Sequence, residues 1–342
     1  MTMLRRNLRP LLGGLAIALA AALPRSSAAE ESKLTDVVVA NPAFTISFGA
    51  NYLAEDLGIY KKNGLNVKTL LIHGVGATNA VISGSADFVE AASTSITRAI
   101  AKGQKLLVIA ETIDRPSTII VLRKELADAA GFDPGAPLKS RTAILRNRTI
   151  AVDSTGSLID SYLLLILKRA GIDPSGVQIP TMQPVNMLAA LQTKQIDGFA
   201  MAPPWPLIPV IQGTAVAVAS GPKGDPADLD PFATSIVATR PETCQQRRSV
   251  CIAMGHSFAE AEAYIHDRPK EAAEVLKKRF PKLDDKVFAA AFDVLHEISP
   301  SPPVVSQKGL ENAERFNIDA GLLKPEEKLK SFDGIFTNEF VK

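Results

Sequence analysis

An α/β protein of two lobes is the fold class this sequence predicts, on three observations. Short apolar runs bounded by turn residues alternate with helical patterns from Thr35 onward, the order that builds mainly parallel sheets covered on both faces. One figure occurs twice: "AVISGSADF" from Ala80 aligns with "ALQTKQIDGF" from Ala190, setting Asp87 against Asp197. The length, 342 residues, exceeds what one core serves, since single cores stop growing near ~250–300 residues.

The chain opens with a basic "MTMLRRNLRP", an apolar "LLGGLAIALAAAL" too short to span a bilayer, and small residues that suit cleavage after Ala29, the pattern of an export signal. Losing Arg5, Arg6, Arg9 and Arg25 and no acid takes 38 basic residues to 34 against 36 acidic ones, net −2. A chain so balanced has no electrostatic footprint for nucleic acid. Periplasmic localisation, a small-molecule partner and a monomer are the expectations.

The expected strands follow in order: "DVVVANP", "NVKTLLIHG", "DFVEAAS", "KLLVIAETI", "STIIVLR", "RTIAVDST", "VQIPTM", "GFAMAPP", "AVAVAS" and "TSIVATR". The clearest helix between them is "SLIDSYLLLILKRAG", where Leu158, Tyr162, Leu165 and Ile166 repeat at helical spacing and Gly171 stops it. From Pro241 only helical patterns remain, the last being "EEKLKSFDGIFTNEFVK". In the doubled figure the apolar run is the buried strand, and Asp87 and Asp197 tidy the turn before it by bonding local backbone.

Function belongs to the far end of such strands, where loops and helix starts present N–H groups and hydroxyls. Four stretches have that character: "HGVGATNA", "AASTSITRA", "DSTGSLIDS" and "TMQPVNMLAAL". Helix starts leave orphan donors that receive an anion without any lysine or arginine. Cys244 and Cys251 in "CQQRRSVC" read as a disulfide of an oxidising compartment. His73, His256, His266 and His296 are scattered with no ligand spacing, so no metal site and no cofactor are expected. No G-x-S-x-G elbow, Walker loop or H-E-x-x-H occurs, which speaks against an enzyme.

"NYLAEDLGIYKKNGLNVKTL", "AVISGSADF", "AIAKGQKLLVIA", "RNRTIAVDSTGSLIDSYLLLILKRAGID" and "LQTKQIDGF" together resemble the nitrate, sulfonate, taurine and thiamine-precursor substrate-binding proteins of ABC importers. The resemblance implies a type II periplasmic-binding fold: two α/β lobes joined by crossover hinge strands, with a helical C-terminal tail. It places a first lobe at residues 30–118 and 235–342 and a second at 119–234, with "STIIVLR" and "TSIVATR" as crossovers.

It also implies closure over a small organic anion, a sulfonate, carboxylate or pyrimidine-type compound, delivered to a membrane permease. The ligand-binding residues it points to are Asn41, Phe44, Gly76, Thr78, Ser93, Thr94 and Ser95 on the first lobe. On the second they are Ser154, Thr155, Gly156, Ser157, Asn186 and Trp205. Asp114, with Glu90 and Glu111, is expected near the cleft to pair with an amine or pyrimidine. Met182, Met187 and Met201 give an apolar wall or fill the second core, and at Phe44 and Trp205 a core role competes with a pocket role. The alternatives are a thiamine-precursor synthase, whose cysteine-rich motif is absent, and a module that signals ligand to a receptor.

Overall fold

The computed structural model describes residues 34–342, so the export signal lies outside the described residues. Among the described residues nine strands form two sheets. The first takes β1 (Thr35–Asn41), β2 (Leu65–Leu71), β3 (Phe88–Ala92), β4 (Leu107–Ile113) and β9 (Ser235–Thr239), ordered β2-β1-β3-β9-β4. The second takes β5 (Ile119–Arg123), β6 (Ile150–Ala151), β7 (Gly198–Met201) and β8 (Ala215–Ser220), ordered β6-β7-β5-β8.

Each sheet carries one strand against the grain. β9 runs antiparallel to β3 and β4, and β5 antiparallel to β7 and β8. Those two are the strands that begin after the chain has crossed between sheets, so the reversal is the mark of the crossover.

Strand parity divides the first sheet's side chains between two cores. Phe88 and Val237 face one, with the helices Gly49–Asp56 and Arg248–Asp267; Val89, Ile236 and Ala238 face the other. The second sheet is buried in a third core, centred on the helix Leu158–Ala170, which ends at Gly171 as its pattern requires. Phe316 and Ala313, from the helix Gln307–Asp319, also enter that third core. The same helix holds the first lobe, where Asn317 Nδ2 donates to the Thr94 carbonyl at 2.9 Å.

The paired aspartates are structural, but their partners are not local. Asp87 Oδ2 accepts the Val38 amide of neighbouring β1 at 2.8 Å, and Oδ1 takes Arg247 at 2.7 Å. Asp197 repeats this with the Thr149 amide at 3.0 Å and Arg123 at 2.8 Å. Each acid therefore staples the start of its strand to the next parallel strand and neutralises its charge on an arginine, which explains why the figure recurs. Gly198 follows Asp197 because a Cβ there would lie 2.2 Å from the Val121 carbonyl oxygen.

Two expected elements differ. "VQIPTM" makes only isolated bridges, Thr149 to Gln178 and Val152 to Thr181. The helical tail ends earlier than its pattern suggests: beyond a short turn at Pro325–Glu327 the chain is irregular, and it meets the outer edge of β4 at an isolated bridge, Val108 to Phe336. There the Val108 amide donates to the Ile335 carbonyl at 2.8 Å and the Thr337 amide donates to Val108 at 2.9 Å. A free strand edge offers backbone partners that a lone helix cannot match. Cys244 and Cys251 are joined in a disulfide.

Candidate functional site

The two crossovers, residues 114–118 and 221–234, run side by side and are laced together. Phe232 and Thr234 amides donate to the Asp114 and Ile113 carbonyls at 2.9 and 2.8 Å, Thr234 Oγ1 donates to the Arg115 carbonyl at 2.6 Å, and the Gly221 amide donates to Thr118 at 2.9 Å. Above them the loops that follow β1, β2 and β3 face those that follow β6 and β7 across a cleft.

The inner chamber of this cleft is narrow, with about 90 Å³ open to a water-sized molecule, less than the ~300–1,000 Å³ usual for small-molecule sites. Thr45, Ser47, Phe48 and Ser95 line it from the first lobe, Asp153, Ser157, Leu158 and Met201 from the second, and Ser117, Thr234 and Ser235 from the crossovers. An outer chamber shares Pro42, Ala43, Gly74, Asp153 and Met201 with it and adds Phe44, His73, Ser154, Gln183 and Trp205. Exposed Phe44, Leu71 and Val75 on one side and Val185 on the other make an apolar rim. Phe44 is steadied there by Tyr52 and Phe280, with ring centroids at 5.8 and 4.8 Å.

Of the residues the sequence points to, the structure brings Phe44, Ser95, Ser154, Ser157 and Trp205 to the cavity walls. Asn41, Thr78, Ser93 and Thr94 are buried behind the wall, and Gly76 opens a short helix beside it. Gly156 meets the first lobe by another route, its carbonyl accepting from Arg98 Nη2 at 3.0 Å. Thr155 and Asn186 are exposed and line neither chamber. Asp114 pairs with Arg115 beneath the cleft, at 3.5 Å.

Glu90 and Glu111 do not approach the cleft; both are buried within the first lobe. Glu90 accepts from Thr112 Oγ1 at 2.9 Å, and Glu111 from the Ser306 amide at 2.7 Å. Met201 lines the cavity, whereas Met187 is in the second lobe's core and Met182 packs against it. His73 reaches the outer chamber, while His266 and His296 stack elsewhere at 4.8 Å. Among the described residues no group of three His, Cys, Asp or Glu side chains is placed to hold a metal ion.

Sequence reasoning missed Asp153 and the hydroxyls of the crossovers. The signal was present: "RPSTII" and "FATSIV" carry Ser117, Thr234 and Ser235 next to the crossing points. Asp153 leads the third of the four helix-start stretches, in a motif read for its serines. Burial pushes its carboxyl above the usual carboxylate range, against the pull of hydrogen bonds from Ser157 and Ser154. Burial likewise raises Asp160, against the Gly156 amide. Ser235 Oγ and Trp205 Nε1 are buried and have no partner among the described residues.

The profile of the NMT1-like family matches residues 48–278. A search of curated protein sequences found no match. Among solved structures, a protein from Bordetella bronchiseptica RB50 superposes with a TM-score of 0.74 at 20% identity, over 90% of this chain and 96% of that one. The alkanesulfonate-binding protein SsuA from Xanthomonas axonopodis pv. citri, bound to MOPS, gives 0.67 at 16% identity over 86% and 96%. A Candida albicans protein described as having the generic periplasmic binding protein fold gives 0.67 at 15% identity over 89% and 97%. The chain has that fold.

Proposed function

The chain belongs to the NMT1-like family, and from that premise we propose that it is an exported, periplasmic solute-binding protein of an ABC importer, which captures a small organic compound between two closing lobes. The observation that carries this reading is the cleft itself. Strand ends of both sheets and both crossovers border one cleft, and Ser235 in its inner chamber and Trp205 in its outer one carry buried polar atoms with no partner among the described residues. An unpaired buried donor costs ~1–3 kcal/mol, so a solute that bonds it recovers stability the empty cleft lacks.

Binding is then a population shift toward a form in which both lobes touch the same molecule. Arg98 reaching the Gly156 carbonyl, and Gly74 facing Ser154, where an added Cβ would stand 3.0 Å from Ser154 Oγ, are contacts between the lobes beside the cleft. The membrane permease of the importer is the partner that receives the loaded form. No cofactor and no catalytic step belong to this reading. The sulfonate bound by the Xanthomonas relative supports a compact organic solute, and the apolar rim favours one larger than nitrate.

Protein isolated from its native cells without refolding is expected to release one small organic compound on denaturation, detected by mass spectrometry. Added back at about 100 times its dissociation constant, that compound stabilises the protein by ~2.7 kcal/mol. A preparation that releases nothing, with no thermal shift from sulfonates, aromatic carboxylates or pyrimidines, contradicts the proposal.

A further inference from the structure

Resting on the solute-capture reading above, we propose that Asp153 is a specificity-determining residue that selects a solute carrying a protonated amine or amidine, through the acceptor it presents from the second lobe. The turn that opens the helix Leu158–Ala170 brings that helix start to the cleft, and part of its polar lining is taken up within the turn itself. The Gly156 amide donates to Asp160 Oδ2 at 2.8 Å, the Asp160 amide donates to Ser157 Oγ at 3.1 Å, and Ser157 Oγ donates to Asp153 Oδ1 at 2.6 Å.

Asp153 is what this arrangement leaves facing the solute, since it lines both chambers. Among the described residues no lysine or arginine lines either chamber, His73 lines the outer one, and Asp153 is their only acidic lining residue. Arg98 is spent on the Gly156 carbonyl and stands off the cavity wall. A partly desolvated carboxylate that receives only neutral hydrogen bonds is compensated further by a charged N–H donor on the ligand.

The first lobe supplies donors. The helix Ser93–Ala101 starts without a side-chain cap, and Ser93 Oγ is buried with no partner among the described residues. The solute that fits carries an acceptor toward Ser95 and a protonated nitrogen toward Asp153.

Matched pairs that differ only in the amine test this: taurine against ethanesulfonate, and para-aminomethylbenzoate against para-methylbenzoate, titrated calorimetrically into the whole exported protein. In at least one pair the aminated member is expected to bind about tenfold tighter or more, as charge-assisted hydrogen bonds allow. Asp153→Asn should bring that pair to parity, with circular dichroism confirming that the variant folds. Unaminated members that bind as tightly overturn the inference and leave solute capture standing, and this comparison needs no variant. A preference that survives Asp153→Asn overturns the role of Asp153. Silence from every probe, together with no released compound, overturns both.

Discussion

Gly221→Ala is expected to destabilise the protein by ~1–3 kcal/mol, the usual cost of forcing a methyl into a filled space, and to weaken solute binding as well. A Cβ at Gly221 would lie 2.4 Å from the Pro116 carbonyl oxygen and 2.7 Å from Pro116 Cβ, so the two crossovers would have to separate. They are bonded at that point by the Gly221 amide and the Thr118 carbonyl, and Ser117 beside them lines the inner chamber. The substitution thus acts on the hinge and on the cleft floor together. Gly176→Ala is the control, because its Cβ would meet nothing nearer than 3.9 Å. Urea unfolding of both variants checks the expectation; equal stability in the two would contradict it.

Stability is expected to fall as pH rises from about 5 to about 8. Glu90 and Glu111 are each pushed up to about 8 by burial, against the pull of Thr112 and Asn41 on Glu90 and of the Ser306 amide on Glu111. Glu262 is raised well above the ordinary range, first by burial and then by Glu90, and its oxygens have no partner among the described residues. The folded protein therefore keeps protons that the unfolded chain releases above about 4.5. Each such group's contribution is intact below that value and is lost as pH climbs through its folded one, at ~1.4 kcal/mol per pH unit. Carboxylates held low, such as Asp228 beside Arg169, finish titrating beneath this window and do not oppose it. Glu262→Gln should flatten the decline, measured by urea unfolding at about pH 5, 6.5 and 8. Stability that is level or rises over that interval would contradict the account.

What the sequence disclosed follows from how strongly a local pattern is constrained. The strand runs were legible because sheets covered on both faces leave continuous apolar stretches such as "IIVLR" and "SIVAT". The doubled acid was legible as structural, but its partners, Val38 and Thr149, lie on other strands and leave no local trace. Glu90 was placed at the cleft by its distance from the strand end, although strand parity sets it on the same face as core residue Phe88. At the C-terminus Phe332, Ile335 and Phe336 recur at helical intervals, and that spacing imitated a helix. Gly334, at φ 73°, and the open edge of β4 decided otherwise. In the site, hydroxyls in "DSTGSLIDS" announced a helix start, but only the fold shows that Asp153 takes up the Ser157 hydroxyl and Asp160 the Gly156 amide.

The central claim, that a solute held by both lobes draws them together, is tested most directly by small-angle X-ray scattering of the protein stripped of solute and then reloaded with the compound it releases. The account predicts a smaller radius of gyration on loading, reversed when the compound is dialysed away. Identical scattering profiles with and without saturating solute would contradict it.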